Sequence, residues 1–151
     1  ADGLITISQP IDKLREVVTE FRNNGGDGKP MILKVQLSYM RDETLARQKA
    51  HEQWRNNIFD NVLMTEIKTP AQFDAAGRFV QPNELDPFVH ISADPQQHIQ
   101  WLQQYVELGF DELILHNVNL EQEQFIKDFG EQVLPALTHS ANSDRPVATL
   151  R

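Results

Sequence analysis

The chain contains no cysteine, which excludes a disulfide, a thiolate nucleophile and a thiolate metal site. It has no apolar run near the roughly 18 residues that a membrane-spanning helix requires, and no secretory signal peptide, so the expectation is a cytoplasmic protein with no membrane partner. Basic residues are the minority: 14 Lys and Arg stand against 22 Asp and Glu, for a formal net charge of −8. Phosphate backbones are bound by a concentrated positive field, and no Lys/Arg cluster is present to make one, so nucleic acid is not expected as a partner. The histidines, among them His51, His90 and His98, lack a metal-ligand spacing, and no metal is expected. Gly25-Gly26-Asp27-Gly28-Lys29 follows a helix and lacks the spacing and Ser/Thr of a phosphate loop, so it reads as a turn. No nucleophile elbow supports Ser/His/Asp catalysis.

What is present is an alternation of helices and strands in 151 residues, 40% of them hydrophobic, enough for one core. A strand over 4–8 is followed by Ile11, Leu14, Val17, Val18 and Phe21 at helical spacing. A second strand, 32–39, alternates: Leu33, Val35, Leu37 and Tyr39 on one face, Ile32, Lys34, Gln36 and Ser38 on the other. The apolar set is expected to pack on helices and the polar set to line an interior. A helix from 42 to about 57 turns Leu45, Ala46, Ala50 and Trp54 toward the body. The region 58–87 breaks the alternation and holds one short helix, announced by the capping box Thr69-Pro70-Ala71-Gln72. It is either a pocket-building insertion over the strand ends or a plain connection. Asp94, Pro95 and Gly109 then bound a helix that leads into a strand over 112–116, which ends on the polar pair His116 and Asn117. A last helix from 121 to about 137 carries Phe125, Ile126, Phe129, Val133 and Leu137, and 138–151 is expected to be a flexible tail.

Helix and strand in this order predict an α/β fold of parallel βα units. Three strands cannot close a barrel, and each large side chain left wet forfeits roughly 1.5–3 kcal/mol of burial. The chain is therefore expected to be the C-terminal part, about three βα units plus an insertion, of a (β/α)8 TIM barrel. In such barrels binding and catalytic groups sit at the carboxyl ends of the strands.

The run Ala1 to Thr6, Ile32 to Tyr39 with Asp42, Glu43 and Ala46, Trp54, Thr69-Pro70, Ala93-Asp94-Pro95, Tyr105-Val106, Gly109-Phe110, His116, Phe125 and Leu134-Pro135 carries a family resemblance. In order and spacing, over residues 1 to about 137, it resembles the C-terminal portion of luciferase-like flavin- or deazaflavin-dependent oxidoreductases, in the branch related to deazaflavin-dependent glucose-6-phosphate dehydrogenase. The resemblance implies a cofactor, FMN or the deazaflavin coenzyme, at the carboxyl-end rim, bound mainly by an N-terminal half. Hydride would pass between it and an organic substrate in an oxidoreductase or monooxygenase. This chain would supply part of the substrate-pocket wall and be inactive alone. Sugar-phosphate-using members hold the phosphate with two lysines and an arginine, and Pro10, Met64 and Phe88 stand at those places, so a sugar phosphate is not the expected substrate. The alternative is a catalytically incomplete half-barrel, a homodimer or other homo-oligomer that pairs its open edge with another copy.

Five residues are candidates for substrate binding. Thr6 belongs to the barrel interior or the pocket. Ser8, at a strand exit before Gln9-Pro10, either touches substrate or caps the helix. Ser38 ends the polar interior row. His116 binds a substrate oxygen or relays a proton, or is a hydrogen-bonded structural histidine. Met64 would be apolar lining, with Phe88, if the insertion folds over the rim. Trp54 is a core anchor or a cap on the pocket.

Overall fold

The computed structural model describes residues 1–137, and the expected tail over 138–151 lies outside the described residues. The elements run β1 (Leu4–Ile7), α1 (Ile11–Phe21), β2 (Met31–Ser38), α2 (Glu43–Trp54), α3 (Asn61–Glu66), α4 (Pro70–Gly77), β3 (His90–Ile91), α5 (Pro95–Glu107), β4 (Glu112–Asn117) and α6 (Gln122–Asp128). Helical backbone continues beyond α6 through a π turn, Phe129–Val133.

All strand pairs are parallel, with β2 at the centre. β1 lies along its first half, from Leu4 opposite Met31 to Ile7 opposite Lys34, and β4 runs along the other edge from Glu112 opposite Ile32 to Asn117 opposite Leu37. The order β1–β2–β4 is thus the chain order of the three expected strands, as in consecutive strands of a barrel. The two-residue β3 was not expected. It pairs with Leu37 and Ser38 on the edge that β1 has vacated, since the carbonyls of Lys34 and Ser38 receive N–H groups from Ser8 and Ser92 while that of Leu37 receives Val118. Two residues give no periodic signal.

The expected two-sidedness of β2 is present. Leu33, Val35, Leu37 and Tyr39 are buried in a core with Leu14 of α1, Ile99, Leu102 and Tyr105 of α5, and Phe125, Phe129 and Val133. Two expected core residues instead face solvent. Phe125 of α6 and Phe129 of the π turn occupy the buried stripe, and Ile126, about 100° further round the helix than Phe125, is exposed. In α2, Ala46 and Ala50 face inward and Leu45 is turned away for the same reason.

The insertion holds two helices and a 3-10 turn, Pro82–Leu85, rather than one helix. The Thr69 capping box forms: its hydroxyl accepts the Gln72 N–H and Gln72 Oε1 accepts the Thr69 N–H. The missed helix, α3, is opened by the Asp60 carboxylate on the Leu63 N–H, 2.8 Å. It buries no stripe, because Val62, Leu63 and Met64 are all exposed, so periodicity could not announce it. The α5 boundaries match expectation, with Asp94 accepting the Gln96 N–H at 2.9 Å and Gly109 turning the chain at φ +92°.

Candidate functional site on the inner sheet face

Strand register assigns each candidate to a face. Partners in a parallel ladder point the same way, so Ile5, Ile7, Ile32, Lys34, Gln36, Ser38, Ile114 and His116 share the face opposite the helices. Along β2 this face is progressively covered: Lys34 is half-buried, while Gln36 and Ser38 are buried. The cover is α2, which folds across the carboxyl end of the sheet and makes a second core from Ala46, Ala50, Leu85, Val89, Ile91 and Val118, with Trp54 beside it. Further down, Ile5, Ile7 and Ile114 are 74%, 56% and 44% exposed.

Three of the five candidates are not at an open pocket. Thr6 lies opposite Leu33, on the helix-packed face, because a one-residue step along a strand reverses the side chain. Ser38 is fully buried. Its hydroxyl donates to the Ala46 carbonyl, 2.8 Å, and accepts the Asn119 amide, 2.9 Å, so it fastens α2 to the sheet. Met64 sits exposed on α3, where no described contact brings it to the inner face.

Ser8 does not cap α1, whose first turn has no side-chain cap. Its hydroxyl donates to Gln36 Oε1 at 2.6 Å and accepts the Gln36 backbone N–H at 3.3 Å, extending the β1–β2 ladder by one side chain. Gln36 was visible in the polar row but had no assigned partner, because a contact 28 residues distant leaves no local mark.

His116 stands in register with Gln36, its ring edge-on to Trp54 at 5.0 Å between centroids and 80°. Its Nδ1 is buried and has no hydrogen-bond partner among the described residues. Burial, and then the nearby Lys34 charge, hold its pKa below the usual imidazole range, so the ring is neutral near pH 7. A neutral imidazole has one donor and one acceptor nitrogen, which suits it to a hydroxyl or carbonyl. Lys34 forms no ion pair with any described residue.

Asn117 belongs to a buried amide network instead. Its Oδ1 accepts the Tyr39 N–H, its Nδ2 donates to Asn119 Oδ1, and Asn119 Nδ2 donates to the Tyr39 carbonyl. Beside it Asp128, on α6, takes two charged hydrogen bonds from Arg41, 2.9 and 2.7 Å, and the Tyr39 hydroxyl, 2.8 Å. The Arg41 hydrogen bonds keep the Asp128 carboxyl below the ordinary carboxylate range, and burial first, then Asp128, pushes the Tyr39 phenol up to about 12. Both clusters tie the chain after β2 to elements some 80 residues later.

A cleft of about 290 Å³ opens where β1 gives way to α1. Pro10 and Phe88 both line it, together with His90, Trp101 and Tyr105. His90 stacks on Trp101 at 4.5 Å and is hydrogen-bonded through Nε2 to the Tyr105 hydroxyl, 2.6 Å. Burial lowers the His90 pKa to about 4 and raises that of Tyr105 to about 12. Neither Lys nor Arg is among the described lining residues, and Asp86 there is paired with Arg47.

The inner face is an open wall with exposed isoleucines, and a cleft of about 290 Å³ is at the small end of ligand pockets, ~300–1,000 Å³. No three His, Asp or Glu among the described residues are grouped to hold a metal ion, and no helix there is long and apolar enough to cross a membrane.

The parallel sheet, backed by helices on one face and covered on the other by α2 only at its carboxyl end, has the fold of part of a barrel and superposes on part of two solved structures. A solved structure described as an F420-dependent secondary alcohol dehydrogenase in complex with an F420-acetone adduct superposes with a TM-score of 0.72 at 16% identity, covering 91% of this chain and 43% of that one. Riboflavin lyase with modified FMN and riboflavin gives 0.56 at 18%, covering 93% and 39%. The homologues in sequence are F420-dependent glucose-6-phosphate dehydrogenases. That of Microbacterium testaceum is 27% identical over 154 residues, 91% of this chain and 43% of its own length. That of Kribbella flavida is 34% identical over 106 residues, 70% of this chain and 31% of its own. No protein-family model matches. The chain thus spans about two fifths, or less, of the relatives it matches.

Proposed function

We propose that this chain is the substrate-side wall of a deazaflavin-dependent oxidoreductase of the luciferase-like type, exchanging hydride between cofactor and an uncharged or weakly charged organic substrate. The observation that carries the reading is the inner face itself: an in-register wall of Ile5, Ile7 and Ile114 left open below the neutral His116. A sheet face of this kind gains stability only when enclosed, as the interior of a barrel is. That the homologues are F420-dependent enzymes favours the deazaflavin over FMN, and the rest of a longer polypeptide would hold it. When bound, that group accepts or supplies the hydride. The residues of this chain bound the substrate and exclude water from it. His116 is the residue we assign to a substrate hydroxyl or carbonyl, and Ser8 acts on it only indirectly, by fixing Gln36 beside it.

A sugar phosphate fits this wall poorly. Pro10 and Phe88 line a cleft without a cation among its described residues, so a dianion there would lose charge-assisted hydrogen bonds of about 1.5–3 kcal/mol each.

The test is a titration of the complete polypeptide and of residues 1–151 with the deazaflavin and, separately, FMN, followed by turnover assays with glucose 6-phosphate and with neutral alcohols. The expected result is stoichiometric deazaflavin binding by the complete protein, weak or no binding by residues 1–151, and no turnover of glucose 6-phosphate. Tight binding by residues 1–151 alone would contradict the proposal. A complete protein that binds neither cofactor and self-associates would favour the half-barrel reading, which the exposed isoleucines also accommodate.

A further inference from the structure

Lys34 occupies an unusual position on the bare face. In register it stands between Ile7 on β1 and Ile114 on β4, with Ile32 and Gln36 two residues to either side on β2. Its ammonium has no carboxylate partner among the described residues, and Glu112, on the same face opposite Ile32, forms no ion pair to it. Ile7 and Ile114 beside it, and Ile5 further along β1, are exposed apolar side chains that an enclosing element would cover. Whatever covers them also removes water from Lys34. An ammonium desolvated without a counter-charge is strongly unfavourable, so a cover of apolar side chains alone would be penalised at its centre.

We propose that the part of the polypeptide that encloses this face carries an inward-pointing Asp or Glu that pairs with Lys34. The inference rests on the enclosure of the wall in the reading above, and not on the redox chemistry. The occupant is taken to be the same polypeptide because the chain covers 43% of its Microbacterium relative and 31% of its Kribbella relative, leaving more than half of a comparable protein to complete the barrel. The pair would fix the register between the two parts, since a one-residue slip of either strand turns its charge out of the interior.

The experiment is the crystal structure of the complete protein together with thermal melts of Lys34→Met and Lys34→Arg, made without added substrate. The expected result is an Asp or Glu from outside this segment within about 4 Å of Nζ, with Lys34→Met melting about 5 °C or more below the parent and Lys34→Arg close to it. Nζ on water alone, on a bound ligand or on a second copy would overturn the proposal, as would a Lys34→Met protein that melts at or above the parent temperature. Deazaflavin titration of the same variants separates the two readings. A Lys34 pair in a protein that binds no deazaflavin leaves the inference standing and removes the oxidoreductase assignment. Deazaflavin binding with Lys34 unpaired does the reverse.

Discussion

The Trp54 indole meets the edge of the His116 ring at 5.0 Å and 80°, so the last residue of α2 holds the last charged-capable side chain of β4. Replacing Trp54 by Ala is expected to cost about 1.5–3 kcal/mol, below the range for a fully buried tryptophan because this ring is half-buried. It should also raise the His116 pKa toward the ordinary value, since burial is the larger cause of its depression. Imidazole chemical shifts followed against pH check this, and an unmoved titration would show that Trp54 does not set the environment of the ring.

Ser38 is expected to behave as a fastener. Ser38→Ala leaves the Ala46 carbonyl and the Asn119 amide each short of a buried partner, and should destabilise by about 1–3 kcal/mol. In the complete protein KM and kcat should be close to the parent values. A changed KM at unchanged melting temperature would return Ser38 to the pocket.

His90 gives a pH dependence with a defined sign. Its folded pKa, about 4, lies below the ordinary 6.5, so the unfolded chain binds more protons between these values. The stability it contributes is complete above about pH 6.5 and declines as the pH falls toward 4, by at most about 1.4 kcal/mol per pH unit. His98, also lowered by burial, acts in the same direction. Urea unfolding at pH 7, 6, 5 and 4.5 should show a shallower decline for His90→Gln than for the parent, and equal slopes would remove His90 as the cause.

Asp128 has the opposite charge but the same sense of dependence. Its folded pKa is lowered, so its contribution is complete above the ordinary carboxylate range, about 3.9, and is lost as the pH falls through the lower folded value. Asp128→Asn should cost about 1.5–3 kcal/mol at pH 7, toward the lower figure because Arg41 is largely exposed. Chemical denaturation of the variant at pH 7 checks the magnitude. Repeating it near pH 3 should bring variant and parent closer together.

The alternation of β2 and the punctuation of α5 were legible because they are local. Leu33 to Tyr39 repeat every second residue, and Asp94, Pro95 and Gly109 state the ends of a helix in their own chemistry. The candidate site was less so. His116 and Trp54 were each visible, but their contact joins residues 62 apart in the chain, and the Ser8 to Gln36 bond likewise crosses between strands. Thr6 was misplaced because a four-residue strand with one polar position does not say which face is which until its register with Leu33 is known. Ser38 ends the polar row as expected, but its burial under α2 was not legible, because that approach depends on the small Ala46 and Ala50 rather than on an apolar stripe.

The closure of the carboxyl end of β2 by α2 also governs the direction of access. A molecule approaching along the strand axis from that end meets α2, which Ser38 and Asn119 fasten to the sheet. Among the described residues the inner face is left open across the strands, over Ile5, Ile7 and Ile114, which is the side that an enclosing element would occupy.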